Sequence, residues 1–138
     1  AEHVIEHVDF VAGLKFLTEA YRVLSVGGVL RLAFPDPVRL GTHGAAWFAE
    51  LKRLGKVKPE LELTPHQVPL LAAVGFGHRM AWTEGLAYQL LLGIGFRRVL
   101  PLAYGASQYA ELTGVDGHHK TSSLECAKLE TTVIEATK

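Results

Sequence analysis

A helical stripe, a glycine pair and a short apolar run succeed one another between residues 10 and 36. This order constrains the fold more than any other feature of the chain. Phe10, Leu14, Leu17, Tyr21 and Leu24 recur at alternating steps of four and three, a spacing that lines one face of a helix. Asp9 precedes the stripe as an N-cap, and Gly27-Gly28 ends it with a turn. Val29 to Phe34 then reads Val-Leu-Arg-Leu-Ala-Phe. A short run that is apolar without alternation suits a strand covered on both faces, as in a parallel sheet. Pro35-Asp36-Pro37 closes it. Helix, turn and buried strand in this order predict a layered α/β domain.

Residues 38–82 predict a helical insertion or lid. Trp47, Phe48, Leu51 and Leu54 fall on a short amphipathic helix closed by Gly55, and Lys56 to Leu63 is a polar connection. Thr64-Pro65 opens another helix, which Pro69 limits and Gly75 stops. Thr83 caps a further helix, with Glu84 set favourably against its dipole. Leu86, Leu90, Leu91 and Ile94 form its buried stripe before Gly95 ends it. Phe96 to Tyr104 is a strand candidate broken by Pro101, residues 105–128 are polar and turn-rich, and Thr131 to Ala136 is a last strand. No repeat or linker divides the chain, so residues 1–138 read as one domain.

Fourteen Lys and Arg balance fourteen Asp and Glu. Neither a basic excess nor a dense basic stripe is present, which argues against a nucleic-acid partner. Hydrophobic residues at 49% and charged residues at 20% describe a globular chain rather than a disordered one. No apolar run approaches the ~20 residues that span a bilayer, and no basic stretch leads into an apolar one as a secretory signal does. No membrane association is expected. Cys126 is the only cysteine. An internal disulfide is therefore excluded, and a reducing, cytoplasmic compartment is expected.

His3-Val4-Ile5-Glu6-His7 matches H-x-x-E-H, the pattern of inverted zinc proteases. On a helix, two imidazoles four residues apart share a face with a carboxylate beside them. The motif precedes Asp9, the better helix start, at an end where a helix frays. No third ligand stands out, so no metal is expected. His118-His119 reads as a solvated loop, because adjacent side chains point apart, while His43, His66 and His78 stand singly. Gly75-Phe76-Gly77 and Gly93-Ile94-Gly95 read as helix ends rather than phosphate cradles, and Ser107 lacks a G-x-S-x-G setting.

The segment from Glu2 to Asp36 resembles the middle of class I S-adenosylmethionine-dependent methyltransferases. In that family the loop after the fourth strand is often written with Glu-His and then a further Glu-His. Here those are Glu2-His3 and Glu6-His7. Arg22-Val23-Leu24, Ser25-Val26 in place of the usual Lys-Pro, Gly27-Gly28 and Val29 to Leu32 follow in the family's order. His78 to Trp82, the helix from Thr83 and Gly95-Phe96 are similar to the approach to its sixth strand, and Thr131 to Lys138 to its closing seventh. The resemblance implies a partial Rossmann-like methyltransferase fold: the fifth to seventh strands with flanking helices and the helical insertion at 38–82. It also implies that the Gly-rich loop and the ribose-gripping acid lie outside this chain. The chain alone is then inactive and binds the cofactor weakly or not at all.

For the complete protein, the resemblance implies an S-adenosylmethionine-dependent methyltransferase acting on a small-molecule acceptor. Glu2, His3 and His7 would face the cofactor. Asp36, His43, Trp47, His78 and Trp82 would contact the acceptor, at the carboxyl edge where open α/β sheets bind ligands. Methyl transfer is an in-line displacement at a sulfonium carbon. It needs alignment, and a base where the acceptor must lose a proton; no catalytic residue announces itself. Two other readings stay open: a zinc hydrolase using His3 and His7, and a non-catalytic methyltransferase-like binding or assembly module. Without its fourth strand, the edge of strand 29–35 is left unpaired. Self-association, or pairing with the missing N-terminal half, is expected, as is cover from residues 38–82 where the chain stays monomeric.

Overall fold

Strand β3 (Thr131–Thr137) lies between β1 (Val29–Pro35) and β2 (Arg98–Leu102) and runs antiparallel to both. This is a computed structural model describing residues 1–138. Pro35 faces Thr131 at one end of the sheet, and Val29 and Arg98 both face Thr137 at the other. The mixed α/β class is as the sequence predicts. The apolar run in β1 suggested a parallel sheet, yet its long partner is antiparallel. The run reports burial on both faces, and burial does not depend on strand direction.

Parallel pairing does occur on the other edge of β1, where Glu2 stands opposite Ala33. The Ala33 amide donates to the Ala1 carbonyl at 2.9 Å, and the His3 amide donates to the Ala33 carbonyl at 2.8 Å. The Ala1 ammonium donates to the Arg31 carbonyl at 2.6 Å. The first residues therefore do not form a frayed helix. The sheet edge offers them backbone partners, and a single 3-10 turn, Ile5–His7, follows. Ile5 and Glu6 are buried.

One face of the sheet packs on α1 (Phe10–Val23) and α4 (Glu84–Ile94). Leu30, Leu32, Phe34, Ile134 and Ala136 meet Leu17, Trp82, Ala87 and Leu91 there. Both helices start as the sequence suggests: Asp9 accepts from the Ala12 amide at 2.9 Å and Thr83 from the Leu86 amide at 3.2 Å. Gly13 lets α1 approach Trp82 closely, since a Cβ there would sit 2.6 Å from the indole. The opposite face carries Arg31 and Glu135, which the segment 103–122 covers through Ala106, Ser107 and Asp116.

A second core joins α2 (Pro37–Arg53), α3 (Gln67–Val74) and α5 (Leu124–Glu130) through Leu40, Trp47, Phe48, Leu51, Val68 and Cys126. The insertion thus packs against α5, and the pairing along the outer edge of β1 comes from Ala1 to His3 instead. Pro35-Asp36-Pro37 not only closes β1 but opens the 17-residue α2, with Asp36 as N-cap and Pro37 in the first turn. Pro69 sits in the first turn of α3, where its missing N–H removes no helical bond. Pro101 lies within β2 rather than breaking it, because β2 is an edge strand. Helix α5 begins inside the stretch expected to be loop and runs past its end to Glu130; Ser123 caps it, accepting from the Cys126 amide at 3.1 Å. No helix is long and apolar enough to cross a membrane.

Candidate functional site

The two cores meet at the carboxyl end of β1, where a cavity of about 190 Å³ opens beside Pro35. Four histidines reach it: His3, His7, His78 and His118. Trp47 and Leu51 of α2, Phe76, Lys56 and Glu130 complete most of the wall.

Glu130, the last residue of α5, organises one side. Its Oε2 accepts from the Trp47 indole at 2.6 Å, and its Oε1 lies 3.0 Å from His118 Nε2. A carboxylate accepts, so a neutral His118 donates from Nε2 and keeps its lone pair on Nδ1. The His118 ring stacks on His3, with centroids 3.6 Å apart and planes at 14°. His3 Nε2 in turn meets Thr131 Oγ1 at 3.2 Å.

His7 and His78 form the other side, with ring centroids 4.9 Å apart in an edge-on arrangement. His7 Nδ1 donates to the Gly77 carbonyl at 3.2 Å, and His78 Nδ1 donates to the Ala72 carbonyl at 2.5 Å. The backbone therefore fixes the tautomer of both rings.

Backbone strain concentrates at this cavity. The only non-glycine residues with positive φ are His3, at 48°, and Phe76, at 60°. Both line it. Such conformations cost of order 1–3 kcal/mol and persist where the surroundings impose them, often at sites of function.

Of the residues singled out from the sequence, His3, His7, Trp47 and His78 line the cavity. The other four do not. Glu2 accepts from the Gly117 amide at 2.7 Å, the His118 amide at 2.9 Å and the Tyr104 hydroxyl at 3.2 Å. It holds the turn that carries His118. Burial, the main cause, raises the Tyr104 hydroxyl above its usual range, which keeps it a donor. Asp36 accepts from the Val38 and Glu84 amides and from Thr132 Oγ1, tying α2, α4 and β3 together. Trp82 is fully buried in the first core, and its indole donates to the Ile5 carbonyl at 3.1 Å. His43 is exposed on α2.

The H-x-x-E-H motif is divided between the two sides. The positive φ at His3 prevents one continuous helix, so His3 pairs with His118 while His7 pairs with His78. Adjacent His118 and His119 do point apart: His118 faces Glu130, and His119 meets Tyr104. That divergence turns one of them into the site, which the loop reading missed. His118 and Glu130 take their place in the site from Glu2, His3 and Trp47, which lie far from them in the chain, so no local pattern marks them. No protein-family model matches the chain, and no curated protein matches it.

Proposed function

We propose that this chain is the C-terminal part of an S-adenosylmethionine-dependent methyltransferase that acts on a small molecule. The supporting observation is the neighbourhood of β1. Residues 1–3 run parallel to it on one side, antiparallel β3 lies on the other, and β2 lies beyond β3. These are the neighbours the resemblance implies for a fifth strand beside its fourth and seventh. The cavity lies at the carboxyl end of that strand, the edge where open α/β sheets bind ligands. Of the residues expected against the cofactor, His3 and His7 line the cavity, whereas the Glu2 carboxylate is already occupied by three donors.

The cofactor supplies an electrophilic methyl group. In this reading the chain supplies the acceptor's side of the reaction. Trp47 and Phe76 give the cavity an aromatic wall, with rings 6.4 Å apart at 83°. His118 Nδ1 takes the proton that the acceptor loses, and Glu130 stabilises the imidazolium that results. Trp47 holds Glu130 in place for that task. The strained backbone at His3 and Phe76 favours this reading over a purely structural module. The lone, buried Cys126 is in keeping with a reducing, cytoplasmic setting.

The same reading assigns an occupant to the apolar groove between α1 and β1, lined by Phe16, Val23 and Leu30. It is the N-terminal half of the protein, continuing the parallel pairing that Ala1 to His3 begin. In its absence the chain is expected to self-associate there, and light scattering of residues 1–138 tests this. Calorimetry with S-adenosylhomocysteine tests the cofactor directly. The complete gene product is expected to bind it, and residues 1–138 alone to bind weakly or not at all. A complete product that does not bind would overturn the proposal.

A further inference from the structure

Glu6 is 1% exposed, and neither of its carboxylate oxygens has a hydrogen-bond partner. His3 Nδ1 lies 3.2 Å from Oε1, within ion-pair reach but without hydrogen-bond alignment. A buried, ionised carboxylate is costly unless a cation or a set of donors compensates it. Besides His3, the titratable groups close to it are His7 and His78. Glu6, His7 and His78 each offer a ligand atom, and these atoms lie within 4.8 Å of one another.

The two imidazoles are prepared for ligation. Each donates from Nδ1 to a backbone carbonyl, Gly77 for His7 and Ala72 for His78. Each therefore keeps its lone pair on Nε2. A metal-ligating histidine is typically oriented in this way, its second nitrogen donating to a carbonyl or carboxylate. The neighbouring cluster of His3, His118 and Glu130 is equally close-knit but has no such vacancy. Both Glu130 oxygens are engaged, by Trp47 and His118, and His3 Nε2 faces Thr131.

We propose that Glu6, His7 and His78 bind a divalent cation of the zinc class, with a fourth position open to the cavity. Two imidazole nitrogens and one carboxylate oxygen are a typical zinc donor set, and three protein ligands leave room for water or a substrate atom. A tetrahedron with bonds of ~2.1 Å puts ligand atoms about 3.4 Å apart, so on binding the three ligand atoms draw together from the 4.8 Å within which they lie. His7 is exposed, which gives the ion a way in. No third ligand lies near His3 and His7 in the sequence; His78, 71 residues beyond His7 in the chain, supplies one in the fold. The triad also differs from the H-x-x-E-H pair, with Glu6 and His78 in place of His3. The proposal does not depend on methyl transfer.

Calorimetric titration of zinc into the 138-residue chain tests it, with cobalt absorption reporting coordination number. The expected result is one zinc per chain and an intense tetrahedral cobalt band. Exposed His7 can be truncated without disturbing the core, so His7→Ala is the primary variant. It should weaken zinc binding by at least about 100-fold, beyond the 10–100-fold that loss of an outer hydrogen bond costs. Glu6→Gln, checked for folding by circular dichroism, should behave alike, and His43→Ala should bind as the parent does. No binding with zinc in excess would overturn the proposal. So would binding that survives His7→Ala but is lost in His118→Ala, since that result puts the ion on the other cluster.

Discussion

Arg31 and Glu135 stand directly opposite each other on β1 and β3, both buried, with Arg31 Nη1 2.7 Å from Glu135 Oε1. Asp116 takes the other side of the guanidinium, with Nε 3.0 Å from Oδ1 and Nη2 bonded to Oδ2. Arg31 Nη1 also donates to the Ala106 carbonyl, and Ser107 Oγ donates to Glu135. Burial opposes the charge on Arg31, but the two carboxylates outweigh it and hold its proton above the usual range. This buried triad fastens the 103–122 segment, and with it His118, to the sheet.

Removing the guanidinium leaves two carboxylates buried beside each other. Arg31→Ala should therefore destabilise the fold by about 3–5 kcal/mol, the range seen when one partner of a buried ion pair is lost. Urea denaturation measures it. Arg31→Lys keeps the charge but loses the planar fork and should fall between parent and Ala. An Ala variant within experimental error of the parent would mean that the segment is held by other contacts.

Trp47→Phe keeps the aromatic wall but removes the donor to Glu130 Oε2. The loss should cost about 1–3 kcal/mol in stability, as expected for a buried acceptor left without its partner. It should also change the His118 Nε2 resonance, since Glu130 orients that ring. An unchanged His118 spectrum would detach Trp47 from the site.

His118→Asn tests the proposed base in the complete protein. If His118 accepts the acceptor's proton, kcat should fall by about 10²–10⁴-fold with little change in KM. The pH–rate profile should lose its acidic limb, because the parent base must be neutral to act. A variant that retains both kcat and that limb would remove His118 from the chemistry.

Glu50 links α2 to α5. Arg53, and next Ser123, hold its carboxyl down to about 2, with contacts of 2.6 and 2.7 Å. In the unfolded chain a glutamate titrates near ~4.3. On acidification the unfolded state takes up the proton first. The stabilisation is thus complete above ~4.3 and lost as pH falls toward the folded value. Stability measured from pH 5 to pH 2 should fall less steeply in Glu50→Gln than in the parent, and identical slopes would contradict the assignment.

Cys126 is fully buried in the second core, and burial pushes its thiol up to about 11. At neutral pH it is protonated and unreactive. A disulfide reagent should label it only on unfolding, so the labelling rate reports the opening of α2, α3 and α5. Fast labelling of the native chain would show that this core opens on its own.

Several elements could be read from local sequence because local physics suffices for them. The stripes of α1 and α4, the caps at Asp9 and Thr83, and the apolar runs of β1 and β3 each place their signal within a few adjacent residues. Other features depend on partners. Helix α5 has only seven residues, too few for a periodic stripe, and it is fixed by Ser123 and by packing on α2. Ala1 to His3 are ordered by the edge of β1, which no local pattern announces. The site lies furthest from the sequence. Trp47 and Glu130 are 83 residues apart, and His3 and Thr131 are 128 apart. Propensity, capping and periodicity act between near neighbours, so the sequence alone marks α1, α4, β1 and β3 and the apolar faces of the two helices. Only the tertiary structure decided which histidines share a cavity, which carboxylate is left without a donor, and that Glu2, Asp36 and Trp82 hold the scaffold together. Those outcomes depend on hydrogen bonds and burial between residues that only the packed sheet and helices bring into reach.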